Sequence, residues 1–366
     1  SDVCSSDLIV AKPDLINRYF RNVLIEADLY SRHEFFGKQT FQTIYIGGGT
    51  PSLLSPEHIS QLLEFLHDKF VFKDDVEITV EVNPESSSVE KLLAFYKAGV
   101  NRLSIGVQSF SERELQLLSR IHDVKTAVRC IRFAQEVGFK NISIDLIFGV
   151  PGQSIAAWNE NLKQALSFSP QHISMYGLTI EPGTPLEKLI KQGIMKPVPE
   201  SLEREMYQSG VELVTNAGYE HYEISSLARP SFRSRHNSLY WDGAPYLGLG
   251  PAAHSFAKAT RHWNFDDVSK YNMLLSNKIL PVKESEQLTE QQQLMEFIML
   301  SLRKKDGIKL DVFQSKFKYD FRERYLKQLE KLKKLNDGKL VEIDESSVKL
   351  TLEGMLLYNE ICSYFV

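Results

Sequence analysis

Five short runs rich in β-branched and aromatic residues, at 43–46, 77–82, 102–107, 141–147 and 172–176, alternate with stretches of helical periodicity. Their starts lie 34, 25, 39 and 31 residues apart. That spacing is what a strand, a helix and two turns require, and strands joined by such crossovers run parallel. The helical patterns fall at 56–70, 89–98, 112–118 with 125–137, and 156–166, and a further helix over 13–30 precedes the first strand. Gly99 and Gly138 stand where helix C-caps belong.

Each strand delivers polar residues at its C-terminal end: Gly47 to Thr50, Glu81 and Asn83, Gln108 and Ser109, Asp145, then Tyr176 and Thr179. In a barrel these ends converge on one mouth, whereas a doubly wound sheet spreads them along an edge and uses fewer. The convergence favours an α/β fold of the incomplete (β/α)6-type TIM barrel over residues 9–218. Five units are visible, and a sixth is expected upstream.

Two helical patterns, 186–192 and 201–217, close this region. Residues 219–280 form a loop-rich segment dense in Tyr, Trp, His and Gly. From 281 to 366 the composition shifts to Lys, Glu, Gln and Leu, with helices expected at 289–302, 310–317 and 325–335. A two-stranded wing at 340–343 and 348–350 and a closing helix at 352–364 complete a winged-helix-like α+β outline. Such an outline serves DNA binding in some proteins and protein contact or a lid in others. A net charge of −4 gives no nucleic-acid surface, and no apolar run reaches membrane-span length. The three cysteines, Cys4, Cys130 and Cys362, are scattered. They make neither a disulfide framework nor a local metal cluster, which fits a reducing cytoplasm.

The run Thr43 to Ser52 reads as a strand that ends in three glycines and a proline. Without Cβ atoms, such a loop lets backbone N–H groups approach a polar ligand closely; read more plainly, it connects a strand to the helix opened by Pro56. Further motifs follow in order: Glu81-Val82-Asn83-Pro84, Gly106-Val107-Gln108-Ser109, Arg120-Ile121-His122, Asp145-Leu146-Ile147-Phe148-Gly149-Val150-Pro151-Gly152-Gln153 and His236-Asn237-Ser238-Leu239-Tyr240-Trp241. Together with Gly47-Gly48-Gly49-Thr50-Pro51-Ser52 they resemble the radical S-adenosylmethionine (SAM) enzymes related to oxygen-independent coproporphyrinogen III oxidase, and most closely their heme-chaperone branch. The similarity runs from about Pro13 to Val366.

The resemblance implies that Gly48, Gly49 and Thr50 meet the methionyl amino end of SAM. It places Glu81, Gln108 and Asp145 around the SAM ribose and amino group, and pairs Arg120 with the SAM carboxylate. These residue types suit such a ligand, because a zwitterion with a ribose asks for one cation, carboxylates and an amide. Glu81 and Asp145 read in isolation as caps or salt-bridge partners, and His122 as a loop residue beside the site.

One departure is large. The family holds a [4Fe–4S] cluster with a CxxxCxxC loop, three thiolates leaving the fourth iron open for SAM; no such triplet occurs in this sequence. The first eight residues, Ser1-Asp2-Val3-Cys4-Ser5-Ser6-Asp7-Leu8, match in translation a widely used sequencing adapter. They read as an assembly artefact standing where native sequence has been lost, with a natural leader as the alternative.

In the last motif an imidazole stands beside two large aromatics, which suits heme: His236 for the iron, Tyr240 and Trp241 for the porphyrin face. The same motif reads structurally as a loop bonded to the barrel rim. His254 and His262 are lesser candidates for the iron. The resemblance implies a heme chaperone that binds heme and hands it to heme-requiring acceptor proteins. The enzymatic alternative is oxidative decarboxylation of coproporphyrinogen III, and a third reading is a cluster-less SAM- or ligand-binding protein. A homodimer is compatible with all three.

Overall fold

The computed structural model describes residues 13–48 and 54–365. Ser1 to Leu8, Gly49, Thr50 and the strand expected upstream therefore lie outside the described residues. The chain divides into two units. One runs up to Leu24 and takes in Gly37–Glu220 and Ser225–His236; the other comprises Ile25–Phe36, His221–Ile224 and Asn237–Val366.

The first unit is built on five parallel strands, β1 (Thr40–Ile46), β2 (Val71–Val82), β3 (Arg102–Gln108), β4 (Ile142–Phe148) and β5 (His172–Gly177). They belong to a seven-stranded sheet, curled as a half-barrel, whose order β1-β2-β3-β4-β5-β7-β6 adds β6 (Glu220–Glu223) and β7 (Ser226–Ala228) at one end. The expected parallel alternation holds through β5; β7 then pairs antiparallel with it. β2 starts six residues earlier than its apolar pattern suggests, because Val71 and Phe72 pair with Thr40 and Phe41 before the register shifts.

Alternation separates two faces of this sheet. One is apolar and buried, with Ile44, Ile78, Val80, Leu103, Ile105 and Ile144. It packs on the crossover helices, as the Phe148–Trp158 ring contact at 5.5 Å shows. The other carries Tyr45, Thr79, Glu81, Arg102, Ser104, Ser143, Asp145, His172 and Ser174. The helices start where short polar side chains cap them. Ser55, Ser88, Asp123 and Ser154 each accept the backbone N–H three residues on. The helix Val124–Val137 stops at Gly138, whose φ of +110° suits glycine.

The second unit departs from expectation where the sequence looked loop-rich. Here β8 (His254–Ala257), β9 (Thr260–Asn264) and β10 (Val282–Gln287) form an antiparallel sheet in the order β10-β9-β8. Interspersed Gly and aromatic residues hid the strand period. The C-terminal part is the expected winged-helix-like arrangement, with differences in the wing and in the helices; a short helix, Phe321–Arg324, precedes Leu326–Lys334. The wing has three strands, β11 (Ile308–Lys309), β12 (Val341–Ile343) and β13 (Ser347–Leu350), β13 being central. The closing helix is two helices, Leu352–Leu356 and Tyr358–Ser363, broken at Leu357, whose backbone (φ −106°, ψ 21°) is not helical. Asp344 closes the wing turn by accepting the amides of Ser346 and Ser347, both at 2.8 Å. In the core of this part Phe313 meets Phe317 tilted at 5.1 Å and Phe321 edge-on at 4.9 Å.

Candidate functional site

The polar face of the first unit begins with the loop after β1. It turns at Gly48 (φ +80°), whose amide donates to Glu81 Oε2 at 3.1 Å, while the Tyr45 hydroxyl donates to Glu81 Oε1 at 2.6 Å. A Cβ on Gly47 would stand 2.5 Å from Tyr45 Cε1 and 2.8 Å from Glu81 Cδ, so only glycine fits. Burial, reinforced by the Glu81 charge, pushes the Tyr45 phenol up, and it stays a donor.

At the end of β3 the register slips between Ile105 and Gln108, and Gln108 takes φ +65°. A left-handed conformation outside glycine costs about 1–3 kcal/mol and is kept where the site over-determines it. A Cβ on Gly106 would lie 2.9 Å from Gln108 Nε2 and 3.5 Å from Asn83 Oδ1, so the amide folds back over the strand beside Asn83. On β4, Asp145 accepts from Ser143 Oγ at 2.9 Å and Ser104 Oγ at 2.8 Å. Ser143 has one proton and gives it to Asp145, so the His172 ring 2.8 Å away donates from Nδ1. Full burial holds the His172 pKa well below its usual value, with the Arg102 charge adding to the effect.

Arg120 lies half-buried on the loop after β3. Burial raises the nearby Glu85 carboxyl, but the hydrogen bond to His122 and the charge of Arg120 outweigh it and hold Glu85 low. His122 presents its two ring nitrogens to acceptors, Glu85 Oε2 at 3.2 Å and Val107 O at 3.1 Å. Its role is to hold this loop.

Glu81, Gln108 and Asp145 thus stand on neighbouring strands, with Gly48 on the loop after β1 and Arg120 on the loop after β3. A buried knot escaped the sequence reading. Glu114 Oε2 accepts from Ser109 (2.6 Å), Asn161 (2.9 Å) and Gln153 (3.0 Å), tying the loops after β3 and β4 to two helices. Ser109 and Gln153 fall inside motifs; Glu114 and Asn161 sit in helices where nothing marks a polar residue as buried. Lower on the same face, Arg102 is 2% exposed. Its Nε and the hydroxyl of Thr79, its register partner on β2, have no hydrogen-bond partner among the described residues.

His236 opens the helix Arg235–Trp241 and turns into this unit. Its Nδ1 is 2.8 Å from Thr43 Oγ1, its ring stacks on Tyr45 at 4.7 Å, and its amide donates to Glu77 Oε1 at 3.1 Å. Burial, then the Arg102 charge, pushes its pKa down to about 4, so the imidazole is neutral at neutral pH. Tyr240 and Trp241 instead line a cavity of about 200 Å³ in the second unit. Tyr240 meets Tyr246 edge-on at 4.6 Å. Of the lesser candidates, His262 bonds the Tyr30 hydroxyl at 2.8 Å and His254 stacks on Trp263 at 5.7 Å.

The model of the Radical SAM superfamily matches residues 17–165, and that of the HemN C-terminal domain residues 288–357. The fold agrees: coproporphyrinogen III oxidase (HemN) from Escherichia coli superposes with a TM-score of 0.80 over 97% of this chain and 84% of its own, at 23% identity. Half-barrel, glycine loop and C-terminal domain define a radical SAM protein of the HemN type. The chain is 36% identical to the heme chaperone HemW of Bacillus subtilis (strain 168) over 336 residues, 90% of this chain and 86% of that protein. It is 31% identical to that of Lactococcus lactis subsp. lactis (strain IL1403), over 92% and 88%. The chain belongs to the HemW family.

The superfamily implies SAM and a [4Fe–4S] cluster. The close backbone approach at Gly47 and Gly106, with acceptors at Glu81, Gln108 and Asp145, suits a ligand that carries hydroxyl and ammonium donors, as SAM does. The described residues do not fit a cluster. Burial drives the Cys130 thiol up to about 12 and the Cys362 thiol up to about 11, and no group of three His, Cys, Asp or Glu is placed to hold a metal among them. Cys4 lies outside the described residues.

Proposed function

We propose that this chain is a heme chaperone, binding heme and handing it to heme-requiring acceptor proteins in the cytoplasm. The observation that carries the reading is the 36% identity to a heme chaperone over nine-tenths of the chain. The likeness to coproporphyrinogen III oxidase, at 23% identity, speaks to fold alone. No helix among the described residues is long and apolar enough to cross a membrane.

In this reading the helix Arg235–Trp241 supplies the heme contacts. His236 offers a neutral imidazole to iron, and Tyr240 and Trp241 offer ring surface. Gly48, Gly49, Thr50, Glu81, Gln108, Asp145 and Arg120 hold SAM. Glu81 and Asp145 accept from its hydroxyl and ammonium groups, and Arg120 pairs with its carboxylate. When bound, SAM is the superfamily's source of a 5′-deoxyadenosyl group.

Heme titration of wild type, His236→Ala and His33→Ala tests the assignment. Wild type and His33→Ala are expected to give the same Soret band, and His236→Ala a weaker and shifted one. Equal titrations for all three would remove His236 as the ligand. Conversion of coproporphyrinogen III without stable heme binding would replace the chaperone with the oxidase.

A further inference from the structure

The cavity of the second unit has walls of opposite character. Tyr240, Trp241 and Tyr246 give it aromatic surface, while Arg261, Lys316, Glu296 and Asp242 give it charge, Asp242 being paired with Lys304. Arg261 is neutralised by Glu296 at 2.9 Å. Lys316 lies over the rings of Phe297 and Phe317 at 5.3 and 5.5 Å and has no carboxylate within salt-bridge distance among the described residues. Its ammonium therefore makes no direct ion pair; burial lowers its pKa, and the charge of Glu296 partly offsets this. One face of Trp241 is covered by the Arg303 guanidinium at 4.4 Å, and its buried indole N–H has no acceptor among the described residues. Burial pushes the Tyr240 hydroxyl up to about 12 and raises that of Tyr246, so both remain donors.

Flat rings, donors and one cation without a direct ion pair suit a planar, carboxylate-bearing ligand. At about 200 Å³ the cavity falls below the ~300–1,000 Å³ that encloses a drug-sized molecule, so it receives an edge of a macrocycle and not the whole. We propose that this cavity is the subsite for the carboxylate edge of a tetrapyrrole, with Tyr240 and Trp241 against the ring and Lys316 paired with a propionate. The proposal rests on the heme-chaperone reading and adds to it the group that recognises the porphyrin's acid side chains.

The test titrates wild type, Lys316→Met and Glu296→Gln with hemin, iron-free protoporphyrin IX and its dimethyl ester, followed by tryptophan quenching. Methionine keeps the aliphatic packing over Phe297 and Phe317 without the charge. Lys316→Met is expected to weaken protoporphyrin IX about tenfold, the worth of one charge-assisted pair, and to leave the dimethyl ester within twofold. Glu296→Gln, which frees Arg261 and removes a repelling carboxylate, is expected to tighten the diacid. Equal effects of Lys316→Met on acid and ester, or weaker diacid binding by Glu296→Gln, overturn the subsite. Hemin binding that depends on His236 but is untouched by Lys316→Met overturns the subsite alone. A wild-type chain that takes up none of the three porphyrins overturns the chaperone reading and the subsite together.

Discussion

The Thr43 hydroxyl and His236 Nδ1 lie 2.8 Å apart across 193 residues of sequence. The bond fixes a neutral imidazole on the polar face of the sheet, with Tyr45 stacked beneath it and Glu77 on its amide. Thr43→Val leaves the ring nitrogen without its partner. It is expected to cost about 1–3 kcal/mol, measured as a lower urea midpoint at unchanged slope.

The same ring sets a pH dependence. Its pKa is about 4 in the folded protein against an ordinary 6.5. Between those values the unfolded chain binds a proton that the folded chain does not, so stability rises with pH across this window. His236→Phe keeps a ring against Tyr45 and removes the titration; its stability should vary less between pH 4 and 6.5 than that of wild type. An identical acid limb would assign the effect to His172 and His221, whose pKa values burial also lowers.

Glu26 predicts the opposite sign in the second unit. Fully buried, it accepts from Asn264 and Tyr271, both at 2.6 Å, and from the Gly250 amide at 2.9 Å. Those donors favour the carboxylate, but burial outweighs them and raises its pKa to about 7. The folded state then holds a proton that the unfolded chain loses above 4.5, so this contribution falls as pH rises from there through 7. Glu26→Gln should lower stability by about 1–3 kcal/mol through one mismatched donor. It should also flatten the melting temperature between pH 5 and 8; a slope equal to wild type would show that the carboxyl titrates normally.

Anaerobic reconstitution of this 366-residue chain with iron and sulfide should yield no stable [4Fe–4S] centre. Its cysteines are Cys4, Cys130 and Cys362, and burial keeps the latter two protonated. Iron and sulfide near four per chain, with cluster absorption, would overturn this.

For SAM, calorimetry should show Arg120→Ala weakening binding about tenfold, the worth of one guanidinium–carboxylate pair. Gly47→Ala should weaken it more, because its methyl would meet Tyr45 and Glu81. Isotherms matching wild type for both variants would remove the ligand from this face.

The strand and helix order of the parallel half-barrel and the outline of the C-terminal domain were legible in the sequence because each rests on local periodicity and caps. Ser55, Asp123 and Gly138 act within one turn of themselves. The positions of Gly48, Glu81, Gln108, Asp145 and Arg120 were legible too, since their motifs sit at strand ends or on the loop beyond. What the sequence left open depends on partners far along the chain. The pattern does not show that Glu114 gathers Ser109, Gln153 and Asn161, since a glutamate in a helix is ordinarily solvated. Nor does it show that one short motif divides its work, with His236 bonded to Thr43 and Tyr240 and Trp241 lining a cavity. The sequence by itself determined which residues are chemically apt. Tertiary structure decided which are buried, and burial sets whether a histidine is neutral or a carboxyl protonated, because removing water penalises charge at every position.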